Sequence, residues 1–146
     1  MIQASEIHDM TRVLGLEEAG SQTTALQFSE TIARGLPLRS IEHVRRIVAP
    51  HSRTFSTLVI PKRTLARRRR KREPLSKSES ERLARVARVW VMAKAVYKAD
   101  EFARTFLGRP HPMLAGRVPL EVAVETEFGT AAVVEILGRL KYGSAA

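Results

Sequence analysis

The 146-residue sequence contains no cysteine, which excludes disulfides and thiolate metal sites and suits a reducing compartment. Aromatic residues are scarce at 5%, so the core must come mainly from Leu, Val, Ile and Ala. No apolar run approaches the roughly 18 residues of a membrane span. The opening Met1-Ile2-Gln3-Ala4-Ser5-Glu6 has neither the basic nor the apolar region of a secretory signal, and a cytoplasmic protein is the expectation. The four histidines, His8, His43, His51 and His111, fall at no ligand spacing, and no phosphate-loop, zinc-protease or nucleophile-elbow motif occurs. The sequence therefore predicts no metal, no cofactor and no enzymatic reaction. One more absence is local: no acidic residue stands between Glu42 and Glu73.

That interval holds 11 basic residues: Arg45, Arg46, Arg53, Lys62, Arg63, Arg67, Arg68, Arg69, Arg70, Lys71 and Arg72. The whole chain carries 25 Lys plus Arg against 15 Asp plus Glu, a net of +10, so outside the interval 14 basic face 15 acidic residues. A positive field concentrated in this way attracts polyanions and speeds their encounter. Nucleic acid is the commonest such partner. An anionic membrane, an acidic protein, or a merely solvated basic run are the other readings.

Apolar spacing predicts an all-α protein, with no hairpin signal and no sustained alternation. Residues 1–20 are weakly patterned and are expected to be weakly ordered. Leu26, Ser29, Ile32 and Ala33 form a helical stripe closed by Gly35 and Pro37. Leu38, Ile41, Val44, Ile47 and Val48 form another, stopped by Pro50. Ser52 can N-cap a short helix through residue 58, and the basic segment then opens a helix in whose first turn Pro61 is tolerated. Beyond Glu73-Pro74, the run Ser76-Lys77-Ser78-Glu79 is a capping box for the longest helix. Leu83, Val86, Ala87, Trp90, Ala93 and Tyr97 line one face of it, Val89, Met92 and Val96 a second, and Arg82, Arg85 and Arg88 are expected outside. A helix at 100–107 and an irregular stretch at 108–117 follow. Pro119 opens a further helix that Gly129 closes. Thr130 caps the last, with Val133, Ile136, Leu137 and Leu140 spaced for burial and Gly143 as the C-terminal cap.

Two short helices joined by a tight break, the second basic, outline a helix-turn-helix. Lys62, Arg63 and Thr64, with Arg67 one turn on, would face base edges, whereas Arg68, Arg69, Arg70, Lys71 and Arg72 suit phosphates. Arg53 joins the same positive surface. Leu58 and Leu65 would anchor the second helix on the core. The turn, Val59-Ile60, lacks a glycine.

The later part of the chain has the order Leu75-Ser76, then Ser80-Glu81-Arg82-Leu83-Ala84-Arg85-Val86-Ala87, then Pro110-His111-Pro112-Met113-Leu114-Ala115-Gly116-Arg117-Val118-Pro119-Leu120. Glu125-Thr126-Glu127-Phe128-Gly129 and a tail ending Tyr142-Gly143 follow. This order, with Arg63-Thr64-Leu65 and Arg67-Arg68 ahead of it, resembles the Xre/MbcA/ParS antitoxin family. Phe106 stands where that family usually has Trp, His111 replaces a common Asn, Ala115 a common Gly, and the Arg tract is longer than the pattern needs. The resemblance implies a front helix-turn-helix domain at 21–74 that binds promoter DNA as a homodimer. It implies a helical toxin-binding and dimerisation domain at 75–146 whose partner is a RES-domain toxin that consumes NAD. The antitoxin itself would bind no NAD. Its C-terminal end would obstruct the toxin's active site, which places Leu140, Lys141, Tyr142 and Gly143 nearest the toxin, with Arg109, Met113 and Arg117 of the loop contributing. The alternative is a stand-alone helix-turn-helix regulator, and an RNA binder ranks last because aromatic platforms are missing beside the basic residues.

Overall fold

The computed structural model describes residues 2–16 and 23–143; the expected domain start at Ser21 and the tail residue Ser144 lie outside them. Among the described residues every regular element is helical: α1 (Ala4–Val13), α2 (Ala25–Arg34), α3 (Arg39–Val48), α4 (Lys62–Lys71), α5 (Lys77–Tyr97), α6 (Asp100–Gly108), α7 (Pro119–Glu125) and α8 (Glu127–Tyr142). Two 3-10 turns, Phe55–Leu58 and Pro112–Leu114, complete the list.

The helix starts follow from local chemistry. The Thr24 hydroxyl accepts from the Gln27 amide at 3.1 Å while the Gln27 side chain accepts from the Thr24 amide at 2.9 Å, which opens α2. Ser76 and Glu79 do the same for α5, at 3.2 and 2.7 Å. Each pair satisfies two amides that the first helical turn leaves without partners. The junction at 125–130 departs from the expectation that Gly129 ends one helix and Thr130 caps the next. The break comes at Thr126, whose extended backbone ends α7 and whose hydroxyl accepts from the Gly129 amide at 2.9 Å to open α8. Thr130 is buried and donates to the Ala123 carbonyl at 2.6 Å. Gly129 lies in the first turn of α8, and glycine is needed there because a Cβ would come within 2.1 Å of the Val122 carbonyl oxygen.

α5 is the axis of the fold, and α1, α2, α3, α6, α7 and α8 all pack on it. Its Leu83, Val86, Ala87, Val89 and Ala93 are fully buried and Trp90 nearly so. One continuous apolar core runs from Met10 to Leu137, so the proposed boundary at Pro74 does not separate two cores. Residues from both sides of it are stitched together. The Leu75 amide donates to the Leu36 carbonyl at 2.9 Å, and the Leu36 amide donates to the Ser80 hydroxyl at 2.8 Å. Gly35, at φ +100°, permits this approach: a Cβ would sit 2.2 Å from the Leu75 carbonyl oxygen.

The N-terminal segment expected to be weakly ordered instead folds over most of its described length as α1. Ile7, Met10 and Val13 enter the apolar interior, and Thr11 is buried with its hydroxyl on the His8 carbonyl. Polar ties hold it further: the His43 Nδ1 bonds the Val13 carbonyl at 2.8 Å, the Ser40 hydroxyl donates to the Leu14 carbonyl at 2.7 Å, and Arg88 pairs with Glu6 at 3.1 Å. Arg82 and Arg85, expected on the outside, likewise turn inward, donating to the Val59 and Val124 carbonyls at 3.0 and 3.3 Å. A long side chain can lay its stem on apolar surface and carry its guanidinium to an otherwise unsatisfied carbonyl.

Candidate functional site

The front surface is built from the end of α3, the 3-10 turn Phe55–Leu58 and α4. Ser52 does not cap a helix; its hydroxyl accepts from the Thr54 amide at 3.3 Å, and the expected short helix tightens to a single 3-10 turn. The turn into α4 needs no glycine because Val59 keeps right-handed helical angles (φ −101°, ψ −43°), and Val59 and Ile60 are buried as an apolar plug. Pro61, with its φ of −58°, is the N-cap of α4, where a missing amide costs nothing. Leu65 is buried and Leu58 partly so, and together they fix the helix on the core.

This anchoring turns Lys62, Arg63, Arg67, Arg69, Arg70 and Lys71 to solvent, with Thr64 half-buried and Arg53 exposed in the preceding loop. Arg63, Arg67 and Arg70 recur at helical spacing on one face. Arg68, expected to face a phosphate, is the exception: it is engaged within the fold. Its Nε and Nη2 donate to the two carboxylate oxygens of Glu79 at 3.0 and 3.2 Å, and Nη1 donates to Glu73 at 3.3 Å. The Arg68 side chain is 18% exposed and that of Glu79 8%. Burial would raise the Glu79 pKa, but the Ser76 amide and hydroxyl and the Arg68 guanidinium outweigh it and hold the carboxyl below its ordinary value. Sequence spacing could not assign this, because Arg68 and Glu79 meet only once α4 has folded back on α5.

The second half of the chain exposes side chains of a different kind. Leu140 is 51% exposed, against its expected burial, although it continues the helical spacing of Val133 and Leu137 near the end of α8. Tyr142 (78%) and Met113 (55%) are exposed as well, and so are two residues that the sequence reading did not single out, Phe102 (63%) and Phe128 (87%). Phe128 had one legible signal: it lies off the buried stripe of α8. The Lys141 Nζ sits 5.5 Å from the centroid of the Tyr142 ring, and Gly143 closes α8 at φ +63°. Arg109 is exposed, and Arg117 is paired with Glu125.

The stretch 108–117 is irregular but ordered. The His111 amide donates to the Arg117 carbonyl at 3.0 Å, the His111 Nδ1 accepts from the Met113 amide at 3.1 Å, and the ring meets Phe106 edge-on at 5.6 Å. His111 is therefore engaged in shaping the loop, and Phe106 is the buried aromatic anchor beneath it. Ala115 takes the left-handed conformation, at φ +55°, beside Gly116 at +78°.

A cleft of about 620 Å³ lies between α1, α3 and α5, lined by Arg12, His43 and Trp90 among others. Two of its polar groups are already used inside the fold: His43 on the Val13 carbonyl, and Lys94 on Asp100 and the Lys98 carbonyl. Among the described residues no three His, Asp or Glu side chains are placed to hold a metal ion, and no helix is long and apolar enough to cross a membrane.

Two family models match the chain in tandem. Residues 27–88 match the antitoxin Xre-like helix-turn-helix domain, and residues 92–143 the antitoxin Xre/MbcA/ParS C-terminal toxin-binding domain. The chain belongs to the Xre/MbcA/ParS antitoxin family. The exposed basic helix falls in the first domain of that family, and the exposed apolar set of Phe102, Met113, Phe128, Leu140 and Tyr142 falls in the second. The two matches meet inside α5. Among curated relatives, a protein named Antitoxin Xre from Pseudomonas putida is 35% identical over 85 residues, covering 58% of this chain and 53% of its own. Another of that name from Yersinia enterocolitica is 35% identical over 95 residues, covering 64% of each chain. The chain thus spans between half and two thirds of the length of these antitoxin relatives.

Proposed function

We propose that the protein is the antitoxin of a type II toxin–antitoxin pair that restrains its toxin by direct binding and represses its own operon by binding promoter DNA. The observation that carries this reading is the presence of two unlike sets of exposed side chains on one core. A helix whose cations, Arg68 apart, face solvent without counter-ions lies in the helix-turn-helix domain, and most of the large exposed apolar side chains lie in the toxin-binding domain. The first suits a polyanion and the second suits a protein, since aromatic residues dominate interface energetics. The functional division is placed at 21–74 and 75–146, with α5 as the shared floor.

In the DNA-bound state Lys62, Arg63, Thr64 and Arg67 would meet base edges, and Arg53, Arg69 and Arg70 the backbone. A homodimer would present two such helices to a symmetric operator. The toxin would be a RES-domain protein that consumes NAD, and Leu140, Lys141, Tyr142 and Gly143 would lie at its active-site entrance, flanked by Arg109, Met113 and Arg117. In this reading the chain performs no chemistry, needs no cofactor and works in the cytoplasm.

This reading expects a RES-domain protein to be encoded beside it, and co-expression of the two should rescue growth. Truncation after Leu140 should abolish rescue and keep operator binding, whereas Arg63→Ala or Arg67→Ala should weaken operator binding and keep rescue. Failure of the full chain to rescue would overturn the antitoxin assignment. An intact DNA-binding activity in that case would favour a stand-alone regulator.

A further inference from the structure

Between α3, the 3-10 turn and α4 the fold leaves a cleft of about 440 Å³ whose charge is not balanced from within. Arg45 and Glu42 of α3 form one wall, and they neutralise each other. Arg45 donates from Nε and Nη2 to the two Glu42 oxygens at 2.8 Å each, and from Nη1 to the Pro50 carbonyl at 2.6 Å. The hydrogen bond from Arg45 holds the Glu42 pKa down to about 2, so the carboxylate stays charged and occupied. Arg53 and Arg69 reach the same cleft from the loop and from α4. Among the described residues neither guanidinium has an intramolecular partner. The Ser56 hydroxyl at the lip has none either, and the Ser52 hydroxyl accepts from the Thr54 amide, which leaves its own proton free to donate.

Arg68, Arg82, Arg85, Arg88 and Arg104 each find a carboxylate or carbonyl. Two like charges converging with two hydroxyl donors and no counter-charge suit a tetrahedral oxyanion, since guanidinium forks and hydroxyls match phosphate oxygens. In a helix-turn-helix the element before the recognition helix crosses the DNA backbone while that helix enters the groove, and here the 3-10 turn Phe55–Leu58 holds that place, so a cleft between it and α4 lies where a strand would pass.

We propose that this cleft is a phosphate clamp that holds one backbone phosphodiester of duplex DNA. Arg53 and Arg69 supply the charge, and Ser52 and Ser56 the directional donors. The proposal rests on the DNA-binding reading and sharpens it: the clamp sets register and affinity and reads no sequence. Because both cations address one phosphate, their removals are not additive.

The test is fluorescence anisotropy of the full chain on a duplex of about two turns (~20 bp) across a salt series. The variants are Arg53→Ala, Arg69→Ala, the double variant and Ser56→Ala, with Lys98→Gln as a distant charge control. Thermal melts establish that each is folded. Arg53→Ala and Arg69→Ala should each lower affinity about 10-fold at low salt. The double variant should change the slope of log K against log salt by about 0.9, the value for one phosphate rather than two. Ser56→Ala should weaken binding with the slope kept, and Lys98→Gln should do nothing. Methylphosphonate at one backbone position should weaken the wild type and leave the double variant unaffected. A wild type that binds duplex while the double variant keeps its slope would overturn the clamp and leave DNA binding standing. A wild type that binds no duplex would overturn both. If inorganic phosphate binds in an Arg53- and Arg69-dependent way while the duplex slope stays unchanged, the cleft is a small-anion site and the clamp is wrong.

Discussion

The front and back parts of this chain treat charge differently. At the α4 end Lys62, Arg63, Arg67, Arg69 and Arg70 are left without counter-ions among the described residues. In the α6–α8 part Arg117 pairs with Glu125 and Arg139 with Glu135, Arg109 and Lys141 have no carboxylate partner among the described residues, and large apolar side chains stand in solvent. Unpaired surface charge is costly through self-repulsion and exposed aromatics are costly through hydration, so each end keeps a different unfavourable feature. Binding at the first should fall steeply with salt, and binding at the second should not. Between them α5 carries both surfaces on one core, which makes the two ends separable in specificity but not in stability.

The strongest test of that shared core is Leu83→Ala, a fully buried position on α5. It should cost about 3 kcal/mol, and a urea titration followed by probes at both ends should still show one coincident transition. Two separate transitions would break the comparison into two independent domains.

A smaller effect is expected at the link between α4 and α5. Glu79→Gln keeps the capping geometry but removes the charge facing Arg68, and should lower stability by about 2 kcal/mol. Arg68→Leu in the same chain should recover part of this, because a half-buried guanidinium left with only the more exposed Glu73 is removed. The Glu79 carboxyl is held below its ordinary value in the folded state. Its contribution is therefore present above the unfolded carboxylate range and is lost as pH falls through the folded value. The difference in unfolding free energy between wild type and Glu79→Gln should be constant from pH 7 to about 5 and shrink below about 4.

Phe128→Ser should leave the melting temperature unchanged and weaken toxin binding by about 10-fold, as judged by calorimetry, with duplex affinity untouched. A loss of stability would mean that Phe128 packs on this chain rather than on a partner. The smallest effect is expected for Arg139→Ala, whose exposed pair with Glu135 should contribute under about 0.5 kcal/mol.

Much of this was legible in advance. The helical stripes, the Ser76–Glu79 capping box, the Gly35 and Pro50 stops and the basic segment all depend on near neighbours in the chain, and the elements form where that spacing places them. The errors share one cause. Residues 4–13 looked weakly patterned because a short helix needs only a few buried contacts when a larger surface receives it. Gly129 was read as a helix end because a close approach to Val122 is invisible in spacing. Arg68 looked like its neighbours Arg67 and Arg69 because nothing local shows that one arginine in a run will meet a carboxylate 11 residues away. Phe102 and Phe128 stand in solvent although an apolar residue is by default expected in the core.

What the sequence by itself determined is the helical class, the position of the breaks and the concentration of positive charge between residues 42 and 73, since each follows from composition and periodicity. Only the tertiary structure decided which of those charges are spent and which remain free. It did so because α4 is folded back on α5 by the buried Leu65 and the Val59–Ile60 plug. That packing brings Glu79 within reach of Arg68 while it leaves Arg53 and Arg69 facing an open cleft.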